Sequence, residues 1–275
     1  MADPIHLFDI AAYLHRAMYV VYGDNASTTP STDETFIVHA CGMLANTMEK
    51  LGVRRMAVVR DSVVPSKRCE EYPAYKADRK PHTPVFAAQS PRFFSALRDV
   101  SVAVVEAEAY EADDLIATLV GQERGTQYVV VSSDKDLLAC LATERTSFYD
   151  PMKNVEVTRE MFVARFGIQP SQMYDYTGLV GDTADGIPGV PGIGPKTAAN
   201  LLRDFGTLDE VYDESRAQAL AEAVPGAKTL DKLLAHKEDA LLSRRLARPW
   251  ICKGLTLTGD AFAAPPSSVV RRACG

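Results

Sequence analysis

Acidic side chains recur in this chain where apolar runs stop. Ile5–Phe8 runs into Asp9, and Met56–Val59 runs through Arg60 into Asp61. The run Val100–Val105 is followed by Glu111, Asp113 and Asp114, and Tyr128–Val131 by Asp134 and Asp136. These runs have strand length. Between them, residues such as Phe36, Ile37, Ala40, Cys41, Leu44 and Met48, then Ala112–Val120 and Lys135–Leu141, read as helices. Strand–helix alternation of this kind predicts an α/β fold with a mostly parallel central sheet flanked by helices. In such a sheet ligands bind at the carboxyl ends of the strands, which places all seven carboxylates on one rim. Asp182 and Asp185, in a Gly- and Pro-punctuated turn past the strands, are positioned to complete the group.

An Asp after a strand is most often a helix N-cap. That account serves any one of these residues but not the set. Two carboxylates ~4 Å apart repel by roughly 4 kcal/mol at an effective dielectric of about 20. Several such pairs would consume much of a domain's stability of about 5–15 kcal/mol. A pair of divalent cations relieves the repulsion. Oxygen donors with no histidine or cysteine beside them select Mg²⁺, with Mn²⁺ able to substitute, over zinc. Two such ions about 3.5–4 Å apart are the usual apparatus of phosphodiester hydrolysis.

Charge distribution agrees with an anionic substrate. The net charge is −6, and setting aside the nine carboxylates changes it to +3. Basic residues cluster at Lys76, Arg79, Lys80, Arg92 and Arg98, and again across Lys228–Lys253. With 47% hydrophobic and 24% charged residues, the composition excludes a disordered chain, a collagen-like repeat and a coiled-coil rod. No apolar run is long enough to span a bilayer, and no signal peptide is apparent, so a cytoplasmic protein without a membrane partner is expected. Cysteines 41, 69, 140, 252 and 274 are odd in number, with no C-x-x-C pair, and read as reduced thiols. The five histidines show no mutual spacing that suggests ligands or a triad, and Trp250 reads as a packing residue.

Gly189-Val190-Pro191-Gly192-Ile193-Gly194-Pro195-Lys196-Thr197 nearly matches a P-loop, but Pro195 separates Gly194 from Lys196 and no buried strand precedes it. A backbone hairpin feeding a helix through Ala198, Leu201 and Leu202 is the better reading. Its glycines let main chain approach a phosphate, the helix N-terminus offers N–H groups, and Lys196 adds charge.

Tyr110-Glu111-Ala112-Asp113-Asp114, Ser133-Asp134-Lys135-Asp136, Gly181–Val190 and Gly192–Ala198, in that order, closely resemble the 5′-nuclease family. The family includes the 5′→3′ exonuclease domain of bacterial DNA polymerase I and flap endonucleases, and the resemblance runs from Asp9 to about Arg245. It implies a structure-specific 5′ nuclease with a PIN-like domain and a C-terminal helix–three-turn–helix region. Asp9, Asp61, Glu111 and Asp113 match the family's first metal site. Asp134, Asp136, Asp182 and Asp185 match its second, with Asp114 between the groups. Tyr75, Lys76 and Arg79 resemble the basic stretch of the family's arch, where Lys76 and Arg79 would touch the scissile phosphate and act with Asp113 in catalysis. Gly189, Gly192, Gly194, Lys196 and Thr197 would hold duplex backbone, with K⁺ on main-chain carbonyls near Val190 and Ile193. Arg60, Ile10-Ala11, Ala184 and Gly186 depart from the family's usual residues.

The expected organisation is a nuclease domain over 1–165 with an arch at about 65–95, read as an irregular excursion outside the core because it holds five prolines. A helical DNA-binding region over 166–260 and a loose tail over 261–275 follow. A monomeric, stand-alone enzyme acting on DNA with a 5′ flap, nick or 5′ end is the leading reading. An inactive DNA-structure-binding homologue and a PIN-type RNase are the alternatives.

Overall fold

In the computed structural model, residues 3–122, 125–257 and 259–275 are described. Six strands form one sheet, β1 (Ile5–Asp9), β2 (Arg55–Val59), β3 (Ala103–Val105), β4 (Tyr128–Val131), β5 (Thr146–Asp150) and β6 (Val155–Val157). The order is β3-β2-β1-β4-β5-β6, parallel except for the antiparallel edge strand β6. Two of the strands, β5 and β6, are additions to the sequence reading, and β3 is shorter than the apolar run at 100–105 suggested. Every residue of β1 is buried, as expected for a strand covered on both faces. The chain winds outward from β1 in both directions, so the crevice between β1 and β4 is the switch point where such sheets bind ligands.

Helices α1 (Ala11–Tyr22), α2 (Thr35–Leu51) and α4 (Pro84–Asp99) cover one face, with Phe8, Tyr13, Phe36, Phe93 and Leu97 in their core. On the other face lie α5 (Ala112–Gln122) and a helical region. That region comprises α6 (Arg159–Phe166), α7 (Met173–Val180), α8 (Pro195–Phe205), α9 (Leu208–Val211), α10 (Ala217–Ala223), α11 (Ala227–Ala235) and α12 (Lys237–Ala247). The stretch after Asp134 is a 3₁₀ segment over Asp136–Ala142. No described helix is long and apolar enough to cross a membrane.

Two sequence expectations fail. The proline-rich stretch 65–91 is not an excursion outside the core. It contains α3 (Lys67–Glu71) and the first half of α4, and it buries Arg68, Tyr75, Val85 and Phe86. Pro84 sits at the start of α4 behind the capping Thr83, where its missing N–H costs nothing. The C-terminal tail is not loose either. Ala264 N donates to the Arg54 carbonyl (2.9 Å), and α13 (Ser267–Arg271) lays a fully buried Val270 into the α2 face.

Candidate metal centre

Strand ends deliver the first acidic groups. Asp9 closes β1 and is buried; its Oδ2 accepts from Ser132 Oγ (2.7 Å), just past β4. Asp61 Oδ1 accepts from the Ala112 N–H (2.8 Å), which ties the end of β2 to the start of α5. Asp134 N donates to Ser132 Oγ (2.9 Å), and Asp136 N donates to Asp134 Oδ1 (2.9 Å). Together Asp9, Asp61, Glu111, Asp113, Asp134, Asp136 and Asp185 line one open cavity of about 420 Å³, with Lys76, Arg79 and Lys80 on its wall. Seven of the nine expected carboxylates are thus brought together.

The other two take different positions. Asp182 lies beside the cavity, paired with Lys135 Nζ at 2.6 Å. Burial works against its ionisation, yet Lys135 and the neighbouring backbone amides hold its carboxyl below the usual range. Asp114 corrects the expectation outright: it is 1% exposed and does not line the cavity. Its oxygens accept from Arg68 Nη2 (2.6 Å) and Nη1 (2.9 Å), from Glu111 N (3.0 Å) and from Trp250 N (2.6 Å). A carboxylate so fully satisfied is a structural ion pair, not a ligand in waiting.

Crowding raises the proton affinity of the cavity carboxyls. Burial, followed by the charges of Asp61 and Asp134, outweighs the Ser132 hydrogen bond and lifts Asp9 to about 7. Burial and then Asp134 lift Asp136 to about 7 as well. Burial also raises Asp134, and burial with the Asp114 charge raises Asp113. Asp136 Oδ1 is buried without a hydrogen-bond partner among the described residues. Hard oxygen donors, an orphaned acceptor and carboxyls that resist joint ionisation fit a divalent cation. No three His, Cys, Asp or Glu side chains among the described residues yet enclose a point as metal ligands. Cationic side chains are interleaved with them instead.

Those cations come from the stretch read as an arch. Lys76 Nζ lies 2.8 Å from Glu111 Oε2 and 4.0 Å from Asp185 Oδ2, and Arg79 Nη2 lies 2.5 Å from Asp185 Oδ1. They sit against the carboxylates, not away from the strand ends. Lys76 holds φ at 55°, and its N–H donates to the Asp185 carbonyl (2.9 Å). A left-handed non-glycine is uncommon, and such positions concentrate at functional sites. Burial would lower the Lys76 pKa, but Glu111 and Asp185 more than offset it, so the ammonium is retained. Tyr75 corrects a second expectation. Its ring is buried, and its hydroxyl donates to Glu111 Oε2 (2.8 Å), which leaves nothing for DNA.

The turn 181–194 joins α7 to α8. Gly189 holds φ at +61°, and a Cβ there would stand 2.3 Å from Gly181 N. Its N–H donates to Ser243 Oγ (2.9 Å) in the interior, so Gly189 closes the turn and is not exposed to DNA as expected. Gly192, Gly194, Lys196 and Thr197 stay at least partly accessible at the start of α8, and Lys232 Nζ reaches beside Gly192. Val190 and Ile193 bury their side chains, with Ile193 N donating to the Val190 carbonyl (3.0 Å).

Sequence reasoning missed two features. His15 and His82 line the cavity and stack on Phe86 behind them, with His82–Phe86 centroids 4.3 Å and His15–Phe86 centroids 4.7 Å apart. Arg68, with no accessible surface, ties α3 to α5 and donates to the Leu246 (2.8 Å) and Arg248 (3.1 Å) carbonyls at the end of α12. No local signal marks the Arg68 contacts or the place of His15 in the stack, because those partners lie far away in sequence; His82 and Phe86 are four residues apart, a spacing the sequence reading did not use.

Residues 4–167 match the 5′-3′ exonuclease N-terminal, resolvase-like domain, and residues 168–260 the 5′-3′ exonuclease C-terminal SAM fold. The chain belongs to the 5′-3′ exonuclease family. It is 34% identical over 215 residues to DNA polymerase I of Rhizobium leguminosarum, matching 78% of this chain but 20% of that protein. It therefore spans about a fifth of that polymerase. To the 5′-3′ exonuclease of Aquifex aeolicus (strain VF5) it is 29% identical, covering 85% of this chain and 80% of that one. Among solved structures, T5 5′-exonuclease with divalent zinc ions superposes with a TM-score of 0.69 over 89% of each chain, at 21% identity. A T5 flap endonuclease in complex with DNA and metal ions gives 0.68 over 89% of each chain, at 20% identity. At these identities the structural likeness establishes the fold.

Proposed function

We propose that this exonuclease-family chain is a structure-directed 5′ nuclease, hydrolysing phosphodiester bonds of DNA bearing a 5′ flap, nick or frayed 5′ end. The observation that carries the reading is the open cavity where seven carboxylates meet Lys76 and Arg79. Asp9, Asp61, Glu111 and Asp113 on one side, and Asp134, Asp136, Asp182 and Asp185 on the other, would hold two Mg²⁺ ions, with Mn²⁺ as a substitute. Bound there, divalent ions supply the charge and Lewis acidity that phosphodiester hydrolysis needs.

The chain's own residues do the rest. The Ser132 hydroxyl and the Ala112 amide fix the Asp9 and Asp61 carboxylates in orientation. Glu111 is held by the Tyr75 hydroxyl and Arg68. Lys76 and Arg79 keep positive charge at the wall where a scissile phosphate would lie and neutralise charge that builds as it is attacked. The α8 N-terminus, with Gly192, Gly194, Lys196 and Thr197, offers N–H groups and a cation to duplex phosphates some distance from the cut. K⁺ on the main-chain carbonyls of Val190 and Ile193 would complete that contact. The protein acts as a monomer in this reading.

The test is cleavage of labelled 5′-flap duplex, nicked duplex and single-stranded RNA with Mg²⁺, and again with chelator. Cutting confined to the DNA substrates and to Mg²⁺ is expected. Binding of the flap with no cutting in Mg²⁺ or Mn²⁺ would establish the inactive homologue, and preferential RNA cleavage the RNase. Replacing K⁺ by Li⁺ should weaken duplex binding without altering single-turnover cleavage of saturated enzyme; unaltered binding removes the potassium assignment.

A further inference from the structure

The C-terminal helix α13 ends beside a thiol on the opposite side of the sheet from the helical region. Cys41 lies in the middle of α2 and is fully buried; Cys274, three residues past α13, is half-buried. Their Sγ atoms are 2.8 Å apart across 233 residues of sequence. We infer that Cys41 and Cys274 form a reversible disulfide that staples the C-terminal segment to α2.

Contacts independent of sulfur hold the pair in place. Arg271 Nη2 donates to Asn46 Oδ1 (2.9 Å) and to Glu49 Oε1 (3.1 Å), and Ser267 Oγ donates to the same Glu49 oxygen (2.9 Å). Upstream, Ala263 bridges Arg55 in antiparallel fashion. Four points of attachment keep the thiols at high effective concentration, so closure needs little chain entropy beyond what docking has already cost. The remaining cysteines are placed differently: Cys140 and Cys252 are buried, and the Cys69 thiol faces the Tyr75 carbonyl oxygen at 3.8 Å.

The two sulfurs differ in a way that orders the chemistry. The hydrogen bond shared with Cys274, and then burial, raise the pKa of the Cys41 thiol, whereas Cys274 is the half-buried partner. Cys274 is therefore the sulfur that solvent can reach, and its thiolate is the nucleophile. It attacks one sulfur of a low-molecular-weight disulfide such as glutathione disulfide, forming a mixed disulfide and expelling one thiolate. Cys41 then attacks Cys274 Sγ, breaking the mixed disulfide, and its proton leaves with the expelled second thiol. Two protein thiols are oxidised and one external disulfide is reduced to two thiols. Because the bond closes nearly the whole chain into a loop, it constrains the unfolded state strongly. α2 also packs on α1 and α4, and α1 lines the cavity with Ala11, Ala12 and His15, so the staple braces that face of the sheet.

The test equilibrates the full chain in glutathione buffers of rising oxidised fraction, quenches with acid, and alkylates under denaturing conditions. Alkylatable cysteines should fall from five to three, with a Cys41–Cys274 peptide found by mass spectrometry. The thermal midpoint should rise by about 5–10 °C, reverting with dithiothreitol. Cys41→Ala and Cys274→Ala should each abolish both changes. Five alkylatable cysteines across the whole range, a stable glutathione adduct on Cys274 alone, or a disulfide joining other cysteines or two chains would each overturn the staple. The peptide map is read on the unaltered chain, so the outcome does not depend on how either variant folds.

Discussion

Asp113 opens α5 beside Glu111, and burial, then the charges of Asp114 and Glu111, oppose its ionisation. In the proposed metal site, replacing it with Asn removes a ligand charge and a repulsion together. Cleavage of a flap in Mg²⁺ should fall below detection while flap binding holds or tightens; wild-type cutting by Asp113→Asn would dissolve the metal-site assignment. Burial, with the neighbouring charges, also sets a pH dependence. Asp9 and Asp136 titrate at about 7 in the folded protein, against about 3.9 when unfolded. A carboxyl raised by folding contributes stability that is complete below the unfolded value and lost as pH rises through the folded one. Chelated protein should therefore melt at a lower temperature at pH 8 than at pH 5, and Mg²⁺ should recover much of the loss at pH 8. A midpoint that is flat with pH and indifferent to Mg²⁺ would show that these carboxyls are not strained by one another.

At the scale of elements, the proposed function assigns separate work to the segment between α3 and α4 and to the turn before α8. Lys76 and Arg79 reach the cavity, whereas Lys196 stands at the α8 N-terminus, outside it. Lys76→Ala should slow single-turnover cleavage of a pre-bound flap about 10²–10³-fold, the usual loss for one donor to developing charge. Flap affinity should stay within a few-fold. Normal turnover with collapsed binding would make Lys76 an affinity residue. Lys196→Ala should do the reverse, leaving the saturated rate intact and reducing the slope of log affinity against log salt by about 0.9, one phosphate's share. An unchanged slope would make the Gly–Pro turn a structural loop alone.

For the whole molecule, Arg68 is a buried polar link between the sheet domain and the helical region, which also share a hydrophobic core. It holds Asp114 with two hydrogen bonds and caps the last carbonyls of α12. Arg68→Ala leaves Asp114 buried and unpaired, which costs about 3–5 kcal/mol. Arg68→Lys should recover only part of this, because an ammonium cannot match the two-pronged pair and both carbonyls at once. Denaturant unfolding measures both. An alanine variant within 1 kcal/mol of wild type, a bound of about one ordinary hydrogen bond, would show that the two regions are joined elsewhere.

Patterns local in sequence could be read without coordinates. Buried strands such as β4 are dominated by apolar residues because both faces are covered, and the acids past the strand ends follow from where parallel sheets place ligands. That was enough for the α/β class and the acidic rim, while the family was legible in the resemblance of four short motifs. Proline count misled for residues 65–91, since a proline at the first turn of a helix is compatible with it, and Thr83-Pro84 was a start signal. What required the tertiary structure was the partner of each polar group. Asp113 and Asp114 are adjacent and alike in type, yet one lines the cavity and the other is neutralised by Arg68, 46 residues away. Gly189 and Gly192 share one turn, yet packing against Ser243 removes the first from the surface. Cys41 and Cys274 meet only because α13 returns to α2. Hydrophobic periodicity fixes which face of an element is buried, but charge pairing and hydrogen bonding are settled between elements, where sequence distance carries no information.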